Sequence, residues 1–429
     1  MRQGSILGFI IFLVILVMID VYVFQGVRTM TRSMTSQRWR TVIHWSYWII
    51  SIGIFAWMGI LALTFTPNNG PTQAFMRLIG VTILFLIPKL VFLFFLLGED
   101  VFRLVRMAYA GIHNMVVSND LPKLEYSVER RKFISQAAMA IAAVPFLGIL
   151  HGLTLGKFNF TVRRETIHYP DLPEAFDGLK ITQISDLHSG SFDTDGHRSE
   201  LERAVRMINE QQSDIVLFTG DLVNNVATEI LPWIDVFSKI KAPMGKFSVL
   251  GNHDYGDYVG WDSEAAKAAN MQSLYGMHQK IGFDLLRNEN RVIEKDGERF
   301  WLLGVENWGT GGFKKAGDLQ KTLAGVPVDS FKILMSHDPS HWENEVQSHQ
   351  THIHLTLSGH THGSQFGIEI PGIKWSPVKY RYPYWAGLYE AGKRYLYVNR
   401  GLGFLALPAR VGIWPEITVI TLKKGKATA

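Results

Sequence analysis

Five short clusters of Asp, His and Asn punctuate the C-terminal two thirds of this chain: Asp186-Leu187-His188, Gly220-Asp221, Gly251-Asn252-His253-Asp254, Ser336-His337 and Gly359-His360-Thr361-His362. They offer carboxylate, imidazole and amide groups, the donors that divalent Mn, Fe and Zn accept. A single Asp-x-His or His-x-His arises by chance. Five clusters in succession, most of them following an apolar strand-like run, point to one shared metal centre. The chain has no cysteine. That excludes thiolate ligands, thiol nucleophiles and disulfides, and leaves the redox compartment open.

Residues so far apart must be gathered by the elements that precede them. Lys180–Ser185 reads as a buried strand ending at Asp186, and Glu200–Gln211 as a helix. Asp214–Thr219 is the next strand, ending at Gly220-Asp221. Lys246–Leu250 ends at Gly251-Asn252-His253, Phe331–Met335 at Ser336-His337, and His352–Leu357 at Gly359-His360. Strands alternating with helices predict an α/β domain in which helices cover a sheet. In such sheets the ligand crevice lies at the carboxyl ends of the strands, which is where every cluster falls. Arg291–Gly304, Arg394–Asn399 and Glu416–Leu422 read as further strands of more antiparallel character. No internal repeat or low-complexity segment is present.

The first third is of another kind. Ile6–Phe24, Val42–Phe65 and Leu78–Leu97 are apolar stretches long enough to cross a bilayer, and Phe133–Leu153 is a fourth, richer in Ala and Gly. About 20 helical residues suffice for a span. The predicted layout is a transmembrane region over 1–153 with about four helices, a linker and first strand over 154–179, and the α/β domain over 180–429. Residues 1–132 carry 13 Lys/Arg against 6 Asp/Glu, whereas the remainder carries 30 against 32. The near-neutral second part argues against a nucleic-acid groove, which needs a basic stripe.

Lys and Arg in the links set orientation. Arg28, Arg32, Arg38 and Arg40 follow the first span. Arg103, Arg106, Lys123, Arg130, Arg131 and Lys132 follow the third, and Thr66–Gln73 after the second has none. The first and third links are therefore expected in the cytoplasm, with both termini and the α/β domain outside; Arg2 alone counts against this. Arg130-Arg131-Lys132-Phe133-Ile134 resembles a twin-arginine export signal and equally suits an ordinary positive-inside anchor. Lys89, beside Pro88 in the third span, needs a partner or a route to the interface, and Asp20 is the candidate partner. Val101–Val117 reads as an interfacial helix. Trp45, Tyr47 and Trp48 read as an aromatic belt.

The five clusters in this order resemble the D-x-H, GD, GNHD, (S)H and GHTH signatures of the calcineurin-like metallophosphoesterase superfamily, over residues 180–422. With its membrane segment the chain is most similar to the membrane-anchored bacterial phosphodiesterases of that superfamily, and through them to enzymes that cleave UDP-diacylglucosamine-type lipid pyrophosphates. The resemblance implies a four-layer αββα sandwich behind an all-α transmembrane region. It implies two divalent metal ions, one held by Asp186, His188 and His362, the other by Asn252, His337 and His360, with Asp221 bridging. A bridging carboxylate offsets repulsion between two such ions, and paired cations lower the pKa of water toward neutrality, so that the nucleophile is a metal-bound hydroxide. Gly220, Gly251 and Gly359 precede ligands where a chain leaving a strand must turn sharply. His360 and His362, two residues apart, point the same way in extended chain. In the family pattern His253 faces the leaving group as general acid, and Asp254 orients it.

Asn225 and Arg400 follow strand ends and are candidate substrate contacts, whereas His341, His352 and His354 lack a motif and read as packing or surface residues. Tyr380–Trp385 and Gly401–Trp414 are rich in Tyr, Trp, Phe and Leu, which suits core packing, a dimer face, or contact with an acyl chain. The expectation is a dinuclear metal-dependent phosphoesterase of the cytoplasmic (inner) membrane with its catalytic domain on the extracytoplasmic side. Its substrate would be a phosphodiester or pyrophosphate, lipid-linked or in the cell envelope. The alternative, a membrane receptor or scaffold whose phosphoesterase fold is silent, calls for a missing ligand, and no ligand position is missing. A transporter with an appended domain rests on four spans and one central lysine.

Overall fold

The computed structural model describes residues 3–64, 72–117 and 128–426; Arg2, Lys123 and the link from Thr66 to Pro71 lie outside them. The chain forms two compact units, residues 1–65 with 77–151 and residues 66–76 with 152–429.

The first unit is built on helices α1 (Gln3–Thr31), α2 (Gln37–Thr64), α3 (Gln73–Val117) and α4 (Val128–Thr154). All four are long and apolar enough to cross a membrane. Helix α3 runs for 45 residues with Pro88 inside it. The stretch Val101–Val117, expected as an interfacial helix, is its unbroken continuation. Buried charge is paired, as a low-dielectric setting demands. Lys89 Nζ lies 2.5 Å from Asp20 Oδ1 and donates to Ser51 Oγ at 2.9 Å. Tyr47 donates to the Asp20 carbonyl at 2.8 Å. Arg130 pairs with Glu99 and Arg131 with Asp100, each at 2.7 Å.

The second unit contains strands β1 (Thr161–Tyr169), β2 (Lys180–Ile184), β3 (Ile215–Thr219), β4 (Lys246–Val249), β5 (Asp284–Leu285), β6 (Glu289–Lys295), β7 (Glu298–Gly304), β8 (Lys332–Met335), β9 (Leu355–Ser358), β10 (Ile368–Ile370), β11 (Ile373–Trp375), β12 (Gly387–Ala391), β13 (Arg394–Val398) and β14 (Glu416–Lys424). Two six-stranded sheets form, in the orders β1-β14-β2-β3-β4-β5 and β12-β13-β9-β8-β7-β6, with β10-β11 as a separate hairpin. Strands β2, β3 and β4 are mutually parallel, as are β7, β8, β9 and β13.

Side chains alternate across a strand, and that alternation divides the core into layers. Ile181, Leu217, Val249 and Ile420 of the first sheet meet Phe300, Leu302, Ile333 and Leu357 of the second. On the far side of the first sheet, Val216 and Phe218 pack under Leu201, Val205 and Ile208 of α5 (Arg198–Glu210) and under Leu274 and Met277 of the helix Glu264–Lys280. On the far side of the second, Leu303, Leu334 and Leu396 pack with Trp342 and Val346. Helix, sheet, sheet, helix is the expected αββα sandwich. Strands buried on both faces read as continuous apolar runs, which is why β2, β3, β4 and β8 stand out in the sequence.

Arg291–Gly304, expected as one strand, is the hairpin β6–β7. Asp296 and Gly297 both take positive φ, 50° and 82°, the turn that a two-residue hairpin loop favours. The expected antiparallel character holds for part of each late strand. Strand β13 is antiparallel to β12 but parallel to β9. Strand β14 is antiparallel to β2 but parallel to β1.

Candidate metal centre

Each cluster sits just beyond the carboxyl end of a parallel strand: Asp186 and His188 after β2, Asp221 after β3, Asn252 and His253 after β4, His337 after β8, His360 and His362 after β9. The edges of both sheets meet there. The polypeptide turns at the donors themselves. Asp186, His188, Asp221, His360 and His362 have φ of 51°, 49°, 59°, 72° and 49°, a region that few non-glycine residues enter, Asp and His more readily than most. Of the three glycines expected to supply sharp turns, only Gly220 has positive φ, 94°. Gly251 is extended and matters through closeness, since a Cβ there would overlap Asp221 Oδ1. A Cβ on Gly359 would overlap Ser185 Oγ and Asp186 Oδ2.

Two donor groups result, Asp186 with His188 and His362, and Asp221 with His337 and His360. Within each, the ligand atoms lie within 4.8 Å of one another. In the first, His188 Nε2 and His362 Nε2 are 3.0 Å apart, and His362 Nε2 is 3.2 Å from Asp186 Oδ1. In the second, His360 Nδ1 lies 2.8 Å from Asn252 Oδ1 and 3.3 Å from His337 Nε2. Asp221 joins the two groups. Its Oδ1 accepts the His253 backbone N–H at 2.9 Å. Its Oδ2 lies 3.5 Å from His188 Nε2 and 3.2 Å from His337 Nε2.

Outer contacts fix which ring edge faces inward, as metal-ligating imidazoles require. His337 Nδ1–H donates to the Thr219 carbonyl at 2.7 Å, leaving Nε2 for the centre. His360 Nε2–H, directed at Tyr382 Oη at 2.8 Å, leaves Nδ1 inward. Arg410, fully buried, sets Nη2 3.1 Å from His362 Nδ1. Burial alone would raise the Asp221 acid, but the facing His337 and His253 imidazoles outweigh it and hold it well below the carboxylate range. Burial pushes the His188 and His360 imidazoles down, His360 to about 4. His337 runs the other way: Asp221 overrides burial and pushes it up to about 10. The buried Asp221 carboxylate thus stays ionised while His188 and His360 stay neutral, as ligands must. Their donor set, hard oxygen and borderline nitrogen, fits divalent Mn, Fe or Zn.

The comparisons agree with this geometry. Residues 179–364 match the family description "Calcineurin-like phosphoesterase", and residues 2–157 match "Probable Calcineurin-like phosphoesterase, transmembrane domain". The metallophosphoesterase YkuE of Bacillus subtilis is 32% identical over 305 residues, which cover 69% of this chain and 98% of that one. The chain belongs to the calcineurin-like metallophosphoesterases. The phosphodiesterase YaeI of Escherichia coli is 28% identical over 296 residues, 69% of this chain and 99% of that one. A transmembrane protein with metallophosphoesterase domain from Danio rerio is 31% identical over 260 residues, 59% of this chain and 55% of that one. The protein is a membrane-associated, metal-dependent phosphoric ester hydrolase.

Around the centre of this metallophosphoesterase, a cavity of about 260 Å³ is lined by His188, Asp221, Asn252, His253, His360 and His362, and also by Phe313, Val378, Arg381, Tyr382 and Leu405. His253 Nδ1–H donates to the Asn224 carbonyl at 2.8 Å, and the ring packs edge-on against His188. Asp254 does something other than the expected orienting of His253. Its Oδ1 accepts the N–H groups of Leu222 and Val223 at 2.9 and 3.2 Å. Its Oδ2 accepts those of Asp221 and Gly251, both at 2.9 Å. Asp254 therefore pins the loop that carries Asp221.

The two expected substrate contacts are placed elsewhere. Arg400 is 1% exposed and lies between Glu416, 2.5 Å away, and Glu369, 2.6 Å away. Asn225 is buried beside the cavity walls without being one of them, and its N–H, like that of Asn224, points at Glu229. The cation on the cavity is Arg381, an exposed residue. Neither Arg381 nor Tyr382 sits in a recognisable motif. Of the histidines without a motif, His341 bonds Ser336 and Glu345, and His354 bonds Lys332 and Asp171. In the aromatic tail, Phe404 is 1% exposed and packs on Phe192. Tyr382 and Trp385 are buried too, and Tyr380 alone of that run's aromatic residues is largely exposed, at 77%.

Proposed function

We propose that this protein hydrolyses a phosphodiester or pyrophosphate at a centre of two divalent ions, on a substrate carried by a lipid or by the cell envelope. Asp186, His188 and His362 would hold one ion, and Asn252, His337 and His360 the other, with Asp221 shared. The observation that carries this reading is the single oxygen Asp221 Oδ2, within 3.5 Å of His188 Nε2 and 3.2 Å of His337 Nε2, one from each donor group. When bound, such a pair supplies an acidified water and neutralises charge on the phosphoryl oxygens.

The chain's own residues supply the rest. His253, held at Nδ1 by the Asn224 carbonyl, keeps its Nε2 edge for the cavity it lines. From there it delivers a proton to the departing oxygen. Arg381 at the wall attracts the phosphate. Phe313, Val378 and Leu405 give the cavity an apolar side suited to the start of an acyl chain. The basic clusters around the α1–α2 and α3–α4 connections (Arg28, Arg32, Arg38 and Arg40; Arg103, Arg106, Arg130 and Arg131) favour a cytoplasmic location for those ends and an extracytoplasmic one for the catalytic domain, at the inner membrane.

The test is turnover by the purified full-length protein, with and without chelation and metal add-back, on a panel from aryl phosphodiesters to acylated pyrophosphates. The reading expects metal-dependent hydrolysis and a higher kcat/KM for the acylated substrate than for its water-soluble head group. Leu405→Ser should narrow that gap. Asp221→Ala should strip bound metal and nearly all turnover. Full metal occupancy in Asp221→Ala sinks the shared-ligand assignment, and equal kcat/KM for the acylated substrate and its head group, in detergent and again in liposomes, sinks the lipid-linked substrate.

A further inference from the structure

We propose that the helical unit holds a phosphate-bearing anionic lipid, with its head group among Arg28, Arg32 and Arg40 and its chain in an apolar cavity further along the same four helices. The head-group cavity measures about 990 Å³. Its walls include Arg28 of α1, Arg32 just beyond that helix, Arg40 and His44 of α2, Arg103 of α3 and Arg131 of α4, and no acidic residue among the described ones. Arg103 and Arg131 share Asp100, at 3.0 and 2.7 Å. The other three differ. Arg28 donates to the neutral amide of Gln25 and Arg40 to that of Gln37. No ion pair among the described residues takes in Arg28, Arg32 or Arg40. Three guanidinium groups around one cavity repel one another, and a polyanion relieves that repulsion. Arginine is also the side chain whose planar fork best matches phosphate oxygens.

A second cavity, of about 330 Å³, is walled by Val27, Ile50, Phe85, Phe92, Ala142 and Phe146 among others. Its polar members are Tyr47 and Lys89, both already engaged by Asp20. The order of the two cavities is the same along every helix once direction is allowed for. On α1 and α3 the apolar residues precede the arginines, and on α2 and α4 the arginines come first. Four helices that alternate in direction thus stack one cavity on the other. The offset runs from adjacent residues (Val27, Arg28) to the eleven-residue separation of Phe92 and Arg103, about 16 Å of helix. A charged head and an apolar tail match that arrangement, whereas a free phosphate would use only one part of it. The site lies wholly in the helical unit and stands apart from the hydrolytic reading.

The experiment uses full-length protein purified in detergent and stripped of lipid. Phosphatidylglycerol, phosphatidylcholine and inorganic phosphate are added in turn, and bound lipid per chain and thermal midpoint are read. One phosphatidylglycerol per chain should be retained with a raised midpoint, phosphatidylcholine should be lost on washing, and phosphate should give the smaller shift. Arg28→Gln/Arg32→Gln/Arg40→Gln should weaken retention at least tenfold while keeping monodisperse elution and the helical signal. Ala142→Phe, which fills the apolar cavity, should weaken lipid retention and leave the response to phosphate unchanged; a misfolded triple variant leaves this arm to decide. Equal retention of phosphatidylcholine, or unchanged retention in both variants, overturns the proposal. A shift from phosphate as large as that from the lipid assigns the cavity to a soluble anion and overturns it as well.

Discussion

Asp254→Asn separates two accounts of the GNHD motif. The carboxylate accepts four backbone N–H groups, two on each oxygen. Burial, with Asp221 beside it, pushes this acid up to about 7 against the pull of those donors, and only the ionised form satisfies all four. Asparagine keeps the shape and converts one oxygen to an NH2 that faces two N–H donors. Two orphaned buried donors at about 1–3 kcal/mol each give a loss of roughly 2–6 kcal/mol, a large part of the about 5–15 kcal/mol that holds a domain together. The donors released belong to the Asp221 loop or to its neighbour Gly251, so the shared ligand loosens, while the Asn224 carbonyl still holds His253. Metal content by mass spectrometry, thermal midpoint, and turnover on two aryl phosphodiesters of different leaving-group acidity form the assay. Metal and midpoint should fall together, and both substrates should slow by a similar factor. Full metal, an unchanged midpoint and a loss confined to the poorer leaving group would refute the bracing role and put Asp254 behind His253.

His253→Gln should retain metal and lose about 10²–10⁴-fold in kcat on a poor leaving group, with partial recovery on an acidic one; equal losses on both would remove the proton-donor role. Gly359→Ala should lower metal content although glycine supplies no ligand, because its Cβ would overlap Ser185 Oγ and the Asp186 carboxylate at Oδ2; wild-type metal binding would show that the loop can yield. Phe404→Ser should lower the thermal midpoint and slow acylated and head-group substrates alike, since Phe404 is core; a loss specific to the acylated substrate would restore it as a lipid contact. A reporter active only after export, fused after Ala429, should be active, and one fused near Ser118 silent; the reverse would move the substrate pool to the cytosol.

The donors were legible because each follows a strand buried on both faces, and such strands announce themselves as apolar runs. Hairpin β6–β7 was not, because one continuous reading of Arg291–Gly304 passes over Asp296-Gly297, a two-residue turn signal. Strand β12, with two glycine-proximal ends and a mixed burial pattern, gives no clear period. Proximity to a strand end misled at Arg400. A side chain's direction depends on what lies across the sheet, and here Glu416 and Glu369, 16 and 31 residues away in sequence, take it. Asn224 and Asn225 are neighbours of one type. Only backbone geometry decides that the carbonyl of the first, and not the amide of the second, meets the catalytic candidate. The same holds for Gly251 and Gly359, where sequence shows that a side chain is absent without showing whether φ or crowding forbids it.

The strained donors explain why the motifs come as a set. Left-handed backbone costs an L-residue about 1–2 kcal/mol, and five donor residues adopt it. What holds them is not within any one motif. The Asp186 carboxylate accepts the N–H of His360 in the last motif. Asp221 accepts that of His253 in the third. Asp254 of the third returns to the second. The backbones interlock as well, with Asp186 N–H on the Gly220 carbonyl and His188 N–H on the Asp221 carbonyl. Asp186 and Asp221 therefore each have two tasks, bracing another motif and facing the donor groups, whereas Asp254 only braces. Such a site is organised before a substrate arrives, the condition under which fixed charges lower a barrier without reorganising. It also follows that removing one donor disturbs both donor groups, so single-ligand losses should not add.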